Sequence, residues 1–262
     1  MEGPIVRPAG RLNTDAPSAL NGLSVYSGFW KYQFDELTRQ EIEDYVKKDP
    51  RPQWCAETFP EFHDLRVVEL GPGDGYNSLA LEMLGSKSLT VIEGNVDCFL
   101  RCLILKNAFD MKTQFELGDF TRMFDTSREV DLIYASGVLY HLPDPINFLE
   151  MASQHSKHLF LWTHFYEESA LGDVGYAREA FSSGIKTTKA FKGRAYTYHR
   201  YEYNVNHVAC TGYAGGLREY ASWMSWEDLE AALQACGYKI LRAIEDRPGH
   251  MMPAVNLFAS IY

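Results

Sequence analysis

Three alternating glycines follow an acid in the segment Glu69-Leu70-Gly71-Pro72-Gly73-Asp74-Gly75. A short apolar, β-branched run (65–70) precedes them, and residues 77–84 are typical of a helix, with Asn77 as its expected cap. Glycine lets the backbone turn tightly and approach a ligand, and a helix N-terminus offers unpaired N–H groups. The spacing therefore predicts a cofactor cradle whose contact residues are Glu69, Gly71, Gly73 and Gly75.

The same loop weighs against a dinucleotide cofactor. A G-x-G-x-x-G fingerprint starting at Gly71 requires a third glycine where the chain has Tyr76. Glu93 ends the second strand-like run, 20 residues after Gly73, and a carboxylate there can accept hydrogen bonds from a ribose diol. Because NAD enzymes share that acid, Glu93 does not discriminate between cofactors. An NAD dehydrogenase is the weakest of our interpretations.

The pattern E-x-G-x-G-x-G resembles motif I of class I S-adenosylmethionine-dependent methyltransferases, where the loop wraps the methionine portion. Gly118-Asp119-Phe120 and residues 135–145 are similar to later motifs, in the family's order. The second of these is similar to the small-molecule type. The resemblance leaves out residues 1–60 and 166–222. It implies S-adenosylmethionine as cofactor, Glu69 near the methionine amine, and Asp119 near the adenine. It also implies contacts from Glu93, Gly94, Phe120, Ser136 and Gly137.

Strand-like and helix-like segments alternate along the middle of the chain, which predicts βαβ units and a mainly parallel sheet. The strands are expected at 65–70, 88–93, 113–117, 130–136 and 157–165, and the helices at 77–84, 96–109 and 145–155. A helix at 225–238, with a capping box at Ser225 and Asp228 and Gly237 at its end, precedes two further strands. The resemblance implies an α/β, Rossmann-like seven-stranded sheet with a reversed C-terminal hairpin and helices on both faces.

Four regions follow from this pattern. Residues 1–60 form an N-terminal helical cap and leader, with a helix at 29–46 that Pro50 and Pro52 close. Residues 61–165 form the cofactor-binding core. Residues 166–222 form a substrate-lid insertion with a hairpin at 193–204. Residues 223–262 complete the sheet.

Three side chains are the catalytic candidates: His141, His164 and Tyr166. His141 lies in the segment after the fourth strand, where a histidine can take a proton near neutral pH. The alternative is a structural histidine bonded to a backbone carbonyl. His164 and Tyr166 end the fifth strand on the same sheet edge, and they either face substrate or satisfy a nearby loop. No His, Asp or Glu cluster has metal-ligand spacing, so we expect no metal.

The insertion and the N-terminal region carry side chains with two interpretations each. The insertion's cations form either a pocket for an acidic substrate or a solvated surface: Lys186, Lys189, Lys192, Arg194 and Arg200. Its tyrosines form either an aromatic cage or hairpin packing: Tyr196, Tyr198, Tyr201 and Tyr203. Solvated roles are favoured for His199 and His207. Trp30, Tyr32 and Phe34 either close over the cofactor or pack in the core.

Composition limits the partners. A net charge of −10 over 262 residues argues against a general nucleic-acid binder. We find no membrane span, secretory signal or C-x-x-C, and the five cysteines suit a reducing cytoplasm. We therefore expect cytoplasmic methyl transfer to an O or N atom of a small molecule. Whether the chain forms a homodimer stays open.

One alternative function is that of a tRNA wobble-base modifying transferase, since the Tyr140-His141 segment resembles wobble-uridine carboxymethyl-transfer enzymes. The other is a non-catalytic S-adenosylmethionine-binding subunit.

Overall fold

A computed structural model describes residues 15–59, 61–125, 129–172, 174–203, 215–248 and 251–262. Within these ranges the strands are β1 Arg66–Leu70, β2 Ser88–Glu93, β3 Gln114–Leu117, β4 Val130–Ser136, β5 Ser156–His164, β6 Lys186–Phe191, β7 Arg194–Glu202, β8 Tyr220–Trp223, β9 Lys239–Asp246 and β10 Ala254–Ser260. The α-helices are α1 Arg39–Val46, α2 Pro50–Thr58, α3 Tyr76–Leu84, α4 Val96–Phe109, α5 Pro145–His155, α6 Gly175–Ala180 and α7 Trp226–Ala235. No helix in these ranges is both long enough and apolar enough to cross a membrane.

Seven strands form the main sheet in the order β3-β2-β1-β4-β5-β10-β9. Strands β1 to β5 pair in parallel, and β10 runs antiparallel to both β5 and β9. This confirms the predicted α/β class and the reversed C-terminal hairpin. The strand order reverses between β1 and β4, and such a switch point opens a crevice at the carboxyl ends of the strands.

The central strands of the main sheet are largely buried on both faces, as parallel strands usually are. Successive residues of one strand point to opposite faces, so Val68 packs with α5 and α7 while Val67 packs with α2 and α3. Helix α4 packs with α1 and α3 through Leu105 and Ile42. Helices thus cover both faces and hold the carboxyl ends of β1, β2 and β4 in fixed positions.

The helix predicted at 29–46 is wrong in its first half, because α1 begins only at Arg39. Thr38 and Glu41 form a reciprocal capping box that fixes this start. Gln33 has a φ of 52°, which an α-helix does not tolerate. The aromatic pattern around Trp30 reflects burial against α3 and α4, not helical periodicity.

Two helix ends also differ from the prediction. Pro50 and Pro52 start α2 instead of closing a helix: Asp49 caps it, and proline suits the first turn, where N–H groups lack partners. Gly75, with a φ of 79°, occupies the N-cap of α3 that was expected at Asn77. The last glycine of the loop, Gly75, therefore lies directly at the N-terminus of α3.

The insertion contains a second sheet in the order β6-β7-β8. The hairpin predicted within 193–204 is wrong, since 194–202 is a single strand and the turn lies at Lys192 and Gly193. Both turn residues have positive φ, as a type I′ two-residue hairpin turn requires. The role of 166–222 as a substrate lid, and the four-region division as a whole, stay predictions.

The end signals predicted for the C-terminal helix are found in part in the structure of α7. The Ser225 side chain accepts from the N–H of Asp228, and Gly237 follows α7 with a φ of 92°. The Asp228 carboxylate does not complete the capping box. It accepts instead from Arg194 and from the N–H of Thr197, so it ties β7 to α7.

Candidate functional site

The glycine loop lies at the carboxyl end of β1, beside the switch point. Gly71, Gly73 and Gly75 all have positive φ, at 61°, 62° and 79°. A Cβ atom built on Gly71 would lie 2.6 Å from Cγ1 of Val138, so no side chain fits there. A Cβ on Gly73 would meet nothing within 4 Å. The loop therefore presents bare backbone, with open space at its middle.

Glu69 lies beneath this loop and is 1% exposed. Its Oε2 accepts from the Ser78 hydroxyl of α3 at 2.5 Å. Burial raises the pKa of Glu69 to about 8, and Arg51 and the Ser78 hydrogen bond only partly oppose this. The carboxyl group is thus poised to ionise when a cation approaches. Its contact with a cofactor amine stays a prediction.

Glu93 joins the loop after β1 to the end of β2. Its Oε2 accepts from the N–H of Gly73 at 3.1 Å, and its Oε1 accepts from the N–H of Asn95 at 2.8 Å. Burial raises the pKa of Glu93, and these N–H groups act in the opposite direction. The acid therefore lies where the loops after β1 and β2 meet, and its ribose contact stays a prediction.

The loops after β2 and β3 lie next to each other. The N–H of Gly118 donates to the carbonyl oxygen of Glu93 at 2.8 Å, and a Cβ on Gly94 would lie 3.6 Å from the carbonyl oxygen of Gly118. Asp119 accepts from the backbone and hydroxyl of Thr121, which is the local turn that Gly-Asp also favours. Phe120 packs edge-on against Phe148. The adenine contacts of Asp119 and Phe120 stay predictions.

Arg51 is a site residue that the sequence did not indicate. Its Nη1 donates to the Ser136 hydroxyl at 3.0 Å, its Nε donates to Asp49, and its guanidinium lies 5.1 Å from the Trp162 ring centroid. Gly137, with a φ of 86°, donates its N–H to the carbonyl oxygen of Trp162. Neither the start of α2 at Pro50 nor the packing of this helix against β4 and β5 was predicted.

His141 is partly buried in the segment after β4. Its Nδ1 lies 2.6 Å from the hydroxyl of Tyr203, and their rings stack. Burial lowers the pKa of His141 to about 3, with a smaller effect from His164 in the same direction. A histidine so difficult to protonate is a poor general base, which weighs against the proton-transfer role.

His164 and Tyr166 are packed into aromatic surroundings. The Nδ1–H of His164 donates to the carbonyl oxygen of Met252 at 2.8 Å, and its ring is parallel to that of Trp223 at 5.5 Å. Tyr166 stacks on His199 with ring centroids 3.5 Å apart. These contacts favour the structural alternative for both residues, and their facing a substrate stays a prediction.

The cations of the insertion do not converge on a pocket. Four form ion pairs and one donates to a carbonyl oxygen: Lys186 with Glu168, Lys189 with Asp144, Arg194 with Asp228, Arg200 with Glu202, and Lys192 with Ala235. Tyr196 and Tyr198 are buried in the main core, and Tyr201 stacks on Trp223. The acidic-substrate interpretation therefore gains no support from these contacts, and packing explains Tyr196, Tyr198 and Tyr201.

The remaining candidate residues either pack in the core or lie outside the residues that the structure describes. Trp30 and Phe34 are buried, and the Trp30 ring donates to the carbonyl oxygen of Leu23. His207 and Cys210 lie outside the described residues. Among those that are described, no group of three His, Cys, Asp or Glu residues could hold a metal ion.

Known proteins match this chain at two levels. A family model described as a methyltransferase domain matches residues 29–243. A tRNA U34 carboxymethyltransferase of Campylobacter hominis is 28% identical over 92 residues, which span 35% of this chain and 32% of that enzyme. The chain thus aligns with only about a third of that curated relative.

Solved structures share the fold. The N-terminal domain of EvdMO1, crystallised in the presence of SAH (S-adenosylhomocysteine) and D-fucose, has a TM-score of 0.61 at 20% identity, covering 86% of this chain and 97% of that one. Magnesium protoporphyrin IX methyltransferase from Synechocystis PCC 6803, with bound SAH, has a TM-score of 0.53 at 16% identity, covering 85% and 82%. A methyltransferase from Clostridium acetobutylicum has a TM-score of 0.53 at 10% identity, covering 85% and 96%.

Proposed function

The chain belongs to the methyltransferase domain family whose model matches residues 29–243, and from this premise we propose that it methylates an oxygen or nitrogen atom of a small molecule. The observation that carries the proposal is the bare glycine loop at the switch point, with Glu93 hydrogen-bonded to it. The fold brings together motifs that are far apart in the sequence, at the edge where such sheets bind ligands.

The residues at this edge fit S-adenosylmethionine. A side chain at Gly71 would overlap Val138, so the cradle requires glycine there, and Glu69 is a buried acid beneath it that can meet a cationic amine. The remaining contacts would come from Gly73, Gly75, Glu93, Gly94, Asp119, Phe120, Ser136 and Gly137. The cofactor supplies a methyl group already activated by a sulfonium.

The protein's own contribution is orientation and the exclusion of water. The aromatic residues around His164 and Tyr166 would shape the acceptor wall, and Arg51 would fix the end of β4 through Ser136. His141 would act as a neutral hydrogen-bonding group, because burial holds its pKa far below the physiological range. General-base catalysis by His141 is therefore not part of the proposal.

A small acceptor is favoured over RNA. The net charge is −10, and four of the insertion's cations already form ion pairs within the chain. An RNA-modifying enzyme needs cations that face phosphate. The match to the tRNA U34 enzyme covers only a third of that protein and does not alter this balance. Four buried free cysteines, Cys55, Cys98, Cys102 and Cys236, support a reducing cytoplasm.

The test supplies the protein with methyl-labelled S-adenosylmethionine and either a small-molecule extract or total RNA. We expect label in the small-molecule fraction, and SAH binding by calorimetry. Gly71→Val should abolish both, because its side chain would meet Val138 in the cradle. Gly184→Val is the matched control, since Gly184 has a φ of 62° and a Cβ there meets nothing within 4 Å.

Each other result selects another function. Label in RNA alone, with binding that weakens steeply in salt, would favour the tRNA alternative. SAH binding without transfer to either fraction would favour a non-catalytic subunit. Failure of the wild-type protein to bind SAH would overturn the proposal.

A further inference from the structure

Two residues of the insertion, Gly216 and Leu217, lie across the carboxyl end of β1. A Cβ built on Gly216 would lie 2.3 Å from the carbonyl oxygen of His141, which follows β4. The Cδ2 atom of Leu217 lies 3.3 Å from a Cβ built on Gly94, which follows β2. Strand β1 lies between β2 and β4 in the sheet. The two residues therefore bridge the glycine loop, and we call them the strap.

The Gly216 end of the strap is held beside His141 by hydrogen bonds. The Tyr203 hydroxyl accepts from the N–H of Gly216 at 3.1 Å and lies 2.6 Å from Nδ1 of His141. Only glycine allows such a close approach to the His141 carbonyl, since any Cβ would overlap backbone. Tyr203, Gly216 and His141 thus form one contact group beyond the carboxyl end of β4.

The other end presents an apolar side chain to the loops after β2 and β3. Leu217 is 62% exposed, which is high for leucine, and it lies against Gly94 beside the carbonyl oxygen of Gly118. Glu93 and Asp119, the acids expected near the ribose and the adenine, adjoin these two glycines. A large exposed apolar side chain at this place gains by being covered, and a purine ring offers an apolar face.

We propose that the strap covers the adenosine part of the cofactor, with Leu217 as an apolar wall and Tyr203 as the positioning residue that fastens it to His141. This inference rests on the proposed function. It assigns part of the insertion to cofactor binding. It also links the position of the strap over the cofactor to His141, through the Tyr203 hydroxyl.

Calorimetry with two ligands tests the Leu217 end. SAH contains both the adenosine part and the amino-acid part of the cofactor, whereas 5′-methylthioadenosine contains the adenosine part without the amino acid. Leu217→Ala should weaken both about tenfold, because both lose the same apolar contact. Leu217→Met should restore most of the affinity. Leu241→Ala is the control, since Leu241 is an exposed leucine on β9.

A second pair of variants tests the fastening. Gly216→Ala and Tyr203→Phe should each weaken SAH binding as Leu217→Ala does, and combining either with Leu217→Ala should add little, because the strap is already released. Thermal melting without ligand identifies any variant that fails to fold, and the other variant then carries the test. Additive losses, or equal affinity of Leu217→Ala and Leu241→Ala, would overturn the strap. Wild-type protein that binds no SAH would overturn the proposed function instead.

Discussion

Asp74 and Arg101 form a buried ion pair between the glycine loop and α4, with 2.7 Å between Oδ1 and Nε and both side chains 5% exposed. The second oxygen of Asp74 accepts from the N–H of Lys31 at 2.5 Å, and Arg101 lies over the ring of Tyr26. One carboxylate thus ties the loop both to α4 and to the N-terminal segment. The backbone of the cradle is therefore held in place from two sides.

Replacing Asp74 by alanine should lower the free energy of unfolding by about 3–5 kcal/mol, because Arg101 is left as an unpaired buried charge. Urea denaturation measures this loss. The control is Asp44→Asn, which breaks an exposed pair with Lys47 and should cost less than about 1 kcal/mol. Equal losses in the two variants would show that the Asp74 pair is not stabilising.

Gly73→Ala should weaken SAH binding while destabilising the protein only modestly. Its φ of 62° costs a non-glycine residue about 1–2 kcal/mol, and the new methyl group would stand in the open middle of the cradle. Gly184→Ala is a matched control: it has the same φ and the same open space, but it lies before β6. Both variants should lose similar stability in urea. Unchanged SAH affinity in Gly73→Ala would contradict a ligand at this position.

Much of the fold follows from local pattern. The β-branched runs of β1 and β4 and the helices between them alternate in sequence as they do in space, so the parallel sheet was predictable. The prediction failed where tertiary packing explains the hydrophobic residues. Trp30 and Phe34 repeat as in an α-helix, but they are buried from an irregular segment and a short 3₁₀ helix. The Thr38 capping box is a local signal for a helix start at Arg39, and the prediction of a helix from residue 29 did not use it.

The candidate site divides in the same way. The glycine loop and Glu93 were predictable because each lies at the end of a strand, where topology alone brings them together. Arg51 and Leu217 were not, since each reaches the site through packing of a segment outside the motifs. Asp74 appeared in the sequence only as a loop residue, because its partners Lys31 and Arg101 lie 43 and 27 positions away.

Glu69 should make the ligand-free protein less stable as the pH rises. Burial raises its pKa from 4.5 to about 8, so the folded protein keeps a proton that the unfolded chain releases above pH 4.5. Stability is therefore lost between pH 4.5 and about 8, by up to about 1.4 kcal/mol per pH unit. Glu69→Gln removes this dependence. Urea denaturation at pH 5.5 and 8.5 should show that the free energy of unfolding of Glu69→Gln rises relative to that of the wild type at the higher pH. An equal difference at both pH values would contradict the raised pKa of Glu69.

His141 should remain neutral throughout the range in which an unperturbed histidine titrates. Its folded pKa of about 3 lies below the ordinary 6.5, so its contribution to stability is complete above pH 6.5 and is lost as the pH falls toward 3. Proton NMR of the histidine rings should show no midpoint for His141 between pH 5 and 8, with His141→Asn used to assign its signal. The rate of methyl transfer should accordingly show no ionisation of His141 in that range. A midpoint near 6.5 that coincides with a break in the rate profile would contradict the neutral role and return His141 to the position of general base.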